Sequence, residues 1–249
     1  MKATVFFAFV LLFLATRMNA QETASQNMLT EPRFNFYKRT LITYNEYLNT
    51  NAGFFNTTNF RLLYPFGNKA LNFRLDLPIV TSNVSNLGNQ TGIGDIDFSI
   101  AYIPKLNDKI GYAIRGKIII PTATESAFGG GKWVFIASGF LGHYWDSKKK
   151  WFSITTLEHQ FSFAGQQASP PVNTILFENV IYYSFKKNWI GADATIRYSF
   201  ELKGYRNIFA IEYGYKISPR FNTYIHPSIG FGSQKSYNNG IEIGTLIYF

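Results

Sequence analysis

The last ten residues constrain this chain most. From Gly240 to the carboxyl-terminal Phe249, apolar and polar side chains alternate. Successive side chains of an extended strand leave on opposite faces, so Ile241, Ile243, Thr245 and Ile247 share one face, and Glu242, Gly244, Leu246 and Tyr248 the other. One side suits lipid and the other a polar lumen, which is how a final transmembrane β-strand reads. The buried last strand of a soluble sandwich is the competing interpretation of these ten residues.

The other end of the chain decides against the sandwich. Met1-Lys2 precedes an apolar run from Ala3 to Ala15, and Met18-Asn19-Ala20 precedes the polar Gln21. That is the three-part layout of a secretory leader, with cleavage expected after Ala20. The run is too short to cross a bilayer as a helix, and no later segment offers about 20 consecutive apolar residues. An exported chain with no membrane helix is periplasmic, secreted or a β-barrel. A terminal aromatic such as Phe249 resembles the assembly signal of bacterial outer-membrane barrels.

Composition favours the barrel. Hydrophobic residues make up 46% of the 249 and aromatics 18%, yet the mean hydropathy is only −0.06. Such values fit polar and apolar residues interleaved along strands. The chain has no cysteine, which removes disulfides, thiolate metal sites and thiol nucleophiles. Of 24 basic residues, loss of Lys2 and Arg17 with the leader leaves 22 against 15 acidic, a formal +7. No basic helix or basic-aromatic motif accompanies that charge, so no nucleic-acid partner is expected.

After a polar segment over 21–35, a barrel over 36–249 is expected. Its alternation places antiparallel up-and-down strands near 36–47, 55–64, 70–80, 94–103, 110–121, 132–144, 151–163, 174–185, 189–200, 207–217, 221–232 and 240–249. This gives an all-β transmembrane barrel of about twelve strands, with ten or fourteen as alternatives; Lys38-Arg39 interrupts the first. Short connections at Gly67-Asn68-Lys69, at 104–109, at 146–150, at Lys186-Lys187-Asn188 and at Ser218-Pro219-Arg220 alternate with longer ones such as 81–93 and 164–173. An even strand number puts both termini and every short turn at one end, the outer-membrane plan. Much of the basic charge lies in these turns, at Lys69, Lys105, Lys109, Lys148, Lys149, Lys150, Lys186, Lys187 and Arg220, where it anchors the barrel rim.

Parity then assigns the inner face. Leu71, Phe73, Leu75 and Leu77 alternate with Asn72, Arg74 and Asp76, and the strands that follow repeat the pattern. Arg or Lys facing lipid at the midplane costs about 2–4 kcal/mol, so the charged set points inward. Arg61, Arg74, Asp76, Asp95, Asp97, Arg115 and Lys117 should fall on neighbouring positions of one inner wall, where opposite signs can pair across the ladder. Glu158, Glu178, Asp193, Arg197, Glu212, Lys216, His226 and Glu242 should line the remainder. Such a lining either fills a narrow barrel or flanks a solute path.

Three short stretches carry a family resemblance. Gly92-Ile93-Gly94-Asp95, then Pro121-Thr122, then Gly129-Gly130-Gly131-Lys132 resemble the Gly-x-Gly-Asp, Pro-Thr and glycine-rich succession of the outer-membrane transporters named for the MetA pathway of phenol degradation. Ala123 stands where that family often has glycine. The resemblance covers about 92–140 and implies a barrel passing small, often hydrophobic or aromatic, compounds. Read physically, Gly92 and Gly94 allow a sharp passage from an external loop into a strand, after which Asp95 and Asp97 begin a luminal face. No helix follows to support phosphate binding.

An enzyme is the main alternative. His226 and Ser228 share a strand face, and Glu242 on the next strand could orient the imidazole, the parts of an acyl hydrolase. The alternation puts this trio in the lumen, away from lipid, so a polar luminal cluster is preferred. His143 beside Tyr144 and Trp145 suits an interfacial girdle. His159 and Glu158 point to opposite faces and cannot share a metal, and no cofactor is called for. The expectation is therefore a monomeric barrel in the outer membrane of a Gram-negative bacterium, not an enzyme, giving passive passage to a small, hydrophobic or aromatic solute. Its partners would be outer-membrane lipid, the solute and the outer-membrane barrel assembly machinery. A lipid hydrolase and a non-conducting structural barrel are the alternatives.

Overall fold

The computed structural model of the chain describes residues 38–67, 70–84, 88–106 and 109–249. The expected leader over 1–20, the polar segment over 21–35, the start of the first strand at 36 and the turn residues Asn68-Lys69 and Asn107-Asp108 lie outside them. The strands are β1 (Thr40–Thr50), β2 (Gly53–Phe66), β3 (Leu71–Ser82), β4 (Gln90–Ile93), β5 (Ile96–Leu106), β6 (Ile110–Ile120) and β7 (Lys132–Tyr144). They continue as β8 (Trp151–Gly165), β9 (Asn173–Phe185), β10 (Asn188–Ser199), β11 (Gly204–Tyr205), β12 (Asn207–Ser218), β13 (Phe221–Phe231) and β14 (Asn239–Tyr248).

These strands form twelve staves. β4 and β5 pair successive lengths of β3, and β11 and β12 pair successive lengths of β10. Neighbouring staves run antiparallel, and β14 closes on β1 from Thr40 opposite Tyr248 to Asn49 opposite Asn239. The barrel thus has the expected class and stave number. One expectation about the turns fails: β1 and β2 are joined by only Asn51 and Ala52, at the end opposite the termini. Gly53 makes this turn with φ at +143°, a value that suits glycine. The Thr50 hydroxyl donates to the Gly53 carbonyl at 2.8 Å, and the Asn83 amide oxygen receives the Phe54 N–H at 2.7 Å.

Burial alternates along the strands and divides two surfaces. Outward residues include Ile114, Leu157, Phe177, Ile211 and Ile243, with Leu157 57% exposed and Ile243 53%. An apolar belt of this extent suits hydrocarbon rather than water. Its aromatic edges carry Trp133, Phe163 and Tyr205 toward one rim and Trp151, Tyr64 and Tyr215 toward the other. On β1 and β2 the belt is interrupted by Asn45, Asn56 and Thr58. They bond among themselves, the Asn45 amide donating to Asn56 at 2.6 Å and to Thr58 at 3.0 Å, which satisfies polar groups on a lipid-facing wall.

Inside, the half of the barrel nearest the termini is packed. Ile42, Leu63, Ile103, Phe140, Phe152, Val180, Trp189 and Leu246 belong to one buried cluster, with Trp189 and Leu246 fully buried. Alternation alone reads this face as polar, so the tier is a departure from the expected lumen. Three rings fit because a glycine stands directly opposite each: Trp189 against Gly214, Tyr182 against Gly191 and Tyr224 against Gly244. A Cβ on any of these glycines would overlap the ring.

Candidate functional site

The charged residues form a band around the interior beyond this tier. On the β2–β8 arc, Arg61 stands opposite Asp76 and donates to it at 2.6 Å, while Arg74 also pairs with Asp76. Asn59 adds a bond to the same carboxylate at 3.2 Å. Asp97 lies directly opposite Asp76, an arrangement that costs free energy unless cations share it. Lys117 supplies one, 3.7 Å from Asp97. Arg115, Ser138 and Glu158 occupy one register row: Arg115 reaches Glu158 at 3.0 Å, Ser138 donates to the same oxygen at 2.8 Å, and Gln160 takes the other at 2.6 Å. Each of these carboxylates is therefore paired with a cation, as buried charge requires.

The β9–β14 arc is built differently. Glu212 receives the Trp189 indole N–H at 2.5 Å and the Tyr182 hydroxyl at 3.5 Å, and Glu242 receives the Tyr224 hydroxyl at 2.5 Å. In two cases the donor ring lies over a glycine two residues beyond the carboxylate it serves, Gly214 for Glu212 and Gly244 for Glu242. His226 stands opposite Glu242 and approaches Asp193 at 3.9 Å, and Thr195 donates to Asp193 at 3.3 Å. Glu178 and Arg197 occupy the inward parity of β9 and β10, whereas Lys216 lies on the termini side of the Trp189–Gly214 pair, opposite Asn222 at the rim and outside the band. Sequence reasoning passed over Glu46, which faces Glu242 across the β1–β14 seam, and the three aromatic donors. An aromatic paired with an inward glycine was the available signal.

Asp95 does not join either arc. The pairing of β3 with β4 and with β5 differs by one residue, so a β-bulge falls at Gly94–Asp95. There Asp95 accepts the Ala123 N–H at 3.1 Å and the Gly130 N–H at 2.7 Å, both from the loop over 121–131. Thr122 receives the Ile96 N–H at 2.9 Å and donates to the Gly94 carbonyl at 3.1 Å, and the Thr124 N–H donates to the Ile93 carbonyl at 3.0 Å. Phe128 is buried against Gly92, where a side chain would collide with Phe128 and Thr124, and a Cβ at Gly94 would crowd Val80, Pro78 and the Phe128 carbonyl. Neither glycine has positive φ, so their role is space rather than the sharp passage expected for them. The three separated stretches of the motif thus meet in one unit that lays the loop on the wall at the end of the barrel opposite the termini.

The parts of a hydrolase are only partly assembled. Ser228 accepts its hydrogen bond from the Tyr237 hydroxyl at 3.0 Å, and burial pushes the Tyr237 phenol up, keeping it a donor. His143 packs on Trp145 at the rim, and His159 faces outward, bonded to Asn173 at 3.1 Å. Among the described residues, no group of three or more His, Asp or Glu could hold a metal.

No family model and no curated protein matches this sequence. Solved structures do match. The COG4313 outer-membrane channel from Pseudomonas putida F1 is 12% identical, with a TM-score of 0.70 over 92% of this chain and the whole of that one. The NanC porin is 14% identical, with a TM-score of 0.65 over 84% of this chain and, again, all of the other. The β domain of the Bordetella autotransporter BrkA is 10% identical at 0.53, spanning 85% of this chain and 99% of that domain. At such identities the likeness is one of architecture, and the chain has the fold of outer-membrane β-barrels.

Proposed function

We propose that this barrel sits in the outer membrane of a Gram-negative bacterium and gives passive passage to a small solute through its interior. The observation that carries this reading is the band of ionic side chains on the inner wall, Arg61, Arg74, Asp76, Asp97, Arg115, Lys117 and Glu158 on one arc and Glu178, Asp193, Glu212 and Glu242 on the other. Fixed charges along a narrow polar path bias which solutes enter it. The fold shared with a porin and a channel supports it. On this reading residues 1–20 are a leader, and Phe249 is the aromatic end that the barrel assembly machinery engages.

The charged band suits a polar solute. A hydrophobic or aromatic solute is a second reading, favoured by the tier of Phe140, Phe152, Tyr182 and Trp189 that any traveller would meet beyond the band. Planar-bilayer recording and liposome swelling test passage. Asp97→Asn should change the cation-to-anion permeability ratio several-fold in a barrel that remains heat-modifiable. A folded wild-type barrel that passes no ion or solute, with or without residues 21–35, would end the passage reading.

A further inference from the structure

The end of the barrel opposite the termini holds a cavity that the charged band does not use. It offers about 290 Å³, open to solvent on one side, between the loop over 121–131 and the β8–β9 connection. Its lining includes Ser126, Ser169, Gln166, Glu125 and Asp95, together with Thr124, whose hydroxyl is turned to the Ile93 carbonyl. Both Asp95 oxygens already accept backbone N–H groups from Ala123 and Gly130, so this side chain builds the cavity wall. No Lys, Arg or His lines it among the described residues.

Those groups define what would fit. Hydroxyls and a carboxamide donate and accept together, so they complement a ligand that does both. An anion would meet two carboxylates and no cation. An apolar molecule would displace water from the hydroxyls without replacing its hydrogen bonds. The volume lies at the lower limit of small-molecule sites, which run from about 300 Å³ upward.

We propose that this cavity recognises a small, uncharged, hydroxyl-rich solute of monosaccharide size, and that Asp95 is its positioning residue, holding the loop over 121–131 against the barrel wall. The solute's onward route rests on the passage reading, but its binding here does not. The Gly-x-Gly-Asp, Pro-Thr and glycine-rich stretches then act together in shaping the cavity. Gly92 and Gly94 make room for the loop, Thr122 ties it to β5, and Gly129 leaves space for the Asp95 carboxylate.

Saturation-transfer NMR on the detergent-purified full chain tests the site directly, with glucose, glucose 6-phosphate and cyclohexanol as probes. Glucose should receive saturation from the wild type and the other two at least several-fold less. Ser169→Phe fills the cavity without touching the Asp95 bonds and should abolish the glucose signal. Asp95→Ala, which frees the loop, should reduce it several-fold. Absence of a wild-type glucose signal, or a signal unchanged in heat-modifiable Ser169→Phe, overturns the proposal. Glucose binding by a barrel that passes no solute in bilayers would leave this site standing and remove the passage reading instead.

Discussion

The two arcs of the inner wall solve one problem by different chemistry. On the β2–β8 arc, buried carboxylates are held by cations: Asp76 by Arg61 and Arg74, Asp97 by Lys117, Glu158 by Arg115. On the β9–β14 arc, Glu212 accepts hydrogen bonds from the neutral donors Trp189 and Tyr182, and Glu242 accepts one from Tyr224. A cation answers a carboxylate with charge, and removing one partner leaves the other charged and buried. A neutral donor answers with a hydrogen bond, and an amide in the carboxylate's place can still accept it. The first arc should therefore depend on charge and the second on ring placement.

The largest effect should come from Asp76→Asn, which strands Arg61 and Arg74 together. A loss of about 3–5 kcal/mol is expected, read as a lower unfolding temperature in heat-modifiability gels. If Asp76→Asn is nearly silent, the pairs on that arc do not hold it. Gly214→Ala should come next. Its methyl would collide with the Trp189 indole, and displacing that ring should cost about 1–3 kcal/mol while leaving the β2–β8 pairs intact. Smallest is Glu212→Gln, which keeps an acceptor for the Trp189 N–H and should cost about 1 kcal/mol. A Glu212→Gln loss as large as that of Asp76→Asn would erase the distinction between the arcs.

Much of this architecture is legible in the sequence. Alternation found twelve staves and put Phe73, Phe98 and Ile114 outward and Arg74, Asp97 and Lys117 inward, because a pleated strand allows only two faces. It does not give depth along the stave. Trp189 meets Gly214, and so Glu212, only through one particular register, and parity fixes register only to within an even shift. For that reason the aromatic tier was invisible, and Leu246 and Tyr248 passed for lining of a polar lumen. Asp95 escaped for another reason. Its parity matches that of Asp97, but the extra residue of the bulge brings it to the loop over 121–131. The expected strands end at 47 and resume at 55, leaving 48–54 as a connection, whereas the ladder runs on and only Asn51 and Ala52 separate β1 from β2.

The seam between β14 and β1 carries a consequence for how this molecule comes into being. It joins the beginning of the described chain to its end, Thr40 to Tyr248, with the Phe249 N–H donating to the Arg39 carbonyl at 3.0 Å. All other stave contacts are between neighbours in sequence and can form as hairpins, whereas this one spans nearly the whole polypeptide. Entropy of closure grows only logarithmically with the span, so the joined state is not much penalised for its length. Its timing is what suffers, since contacts of high sequence separation form late. Until the final stave arrives, the sheet has two unsatisfied edges, each a template for another chain. The barrel's most exposed moment therefore falls just before completion, and shielding those two edges is the service its synthesis most needs.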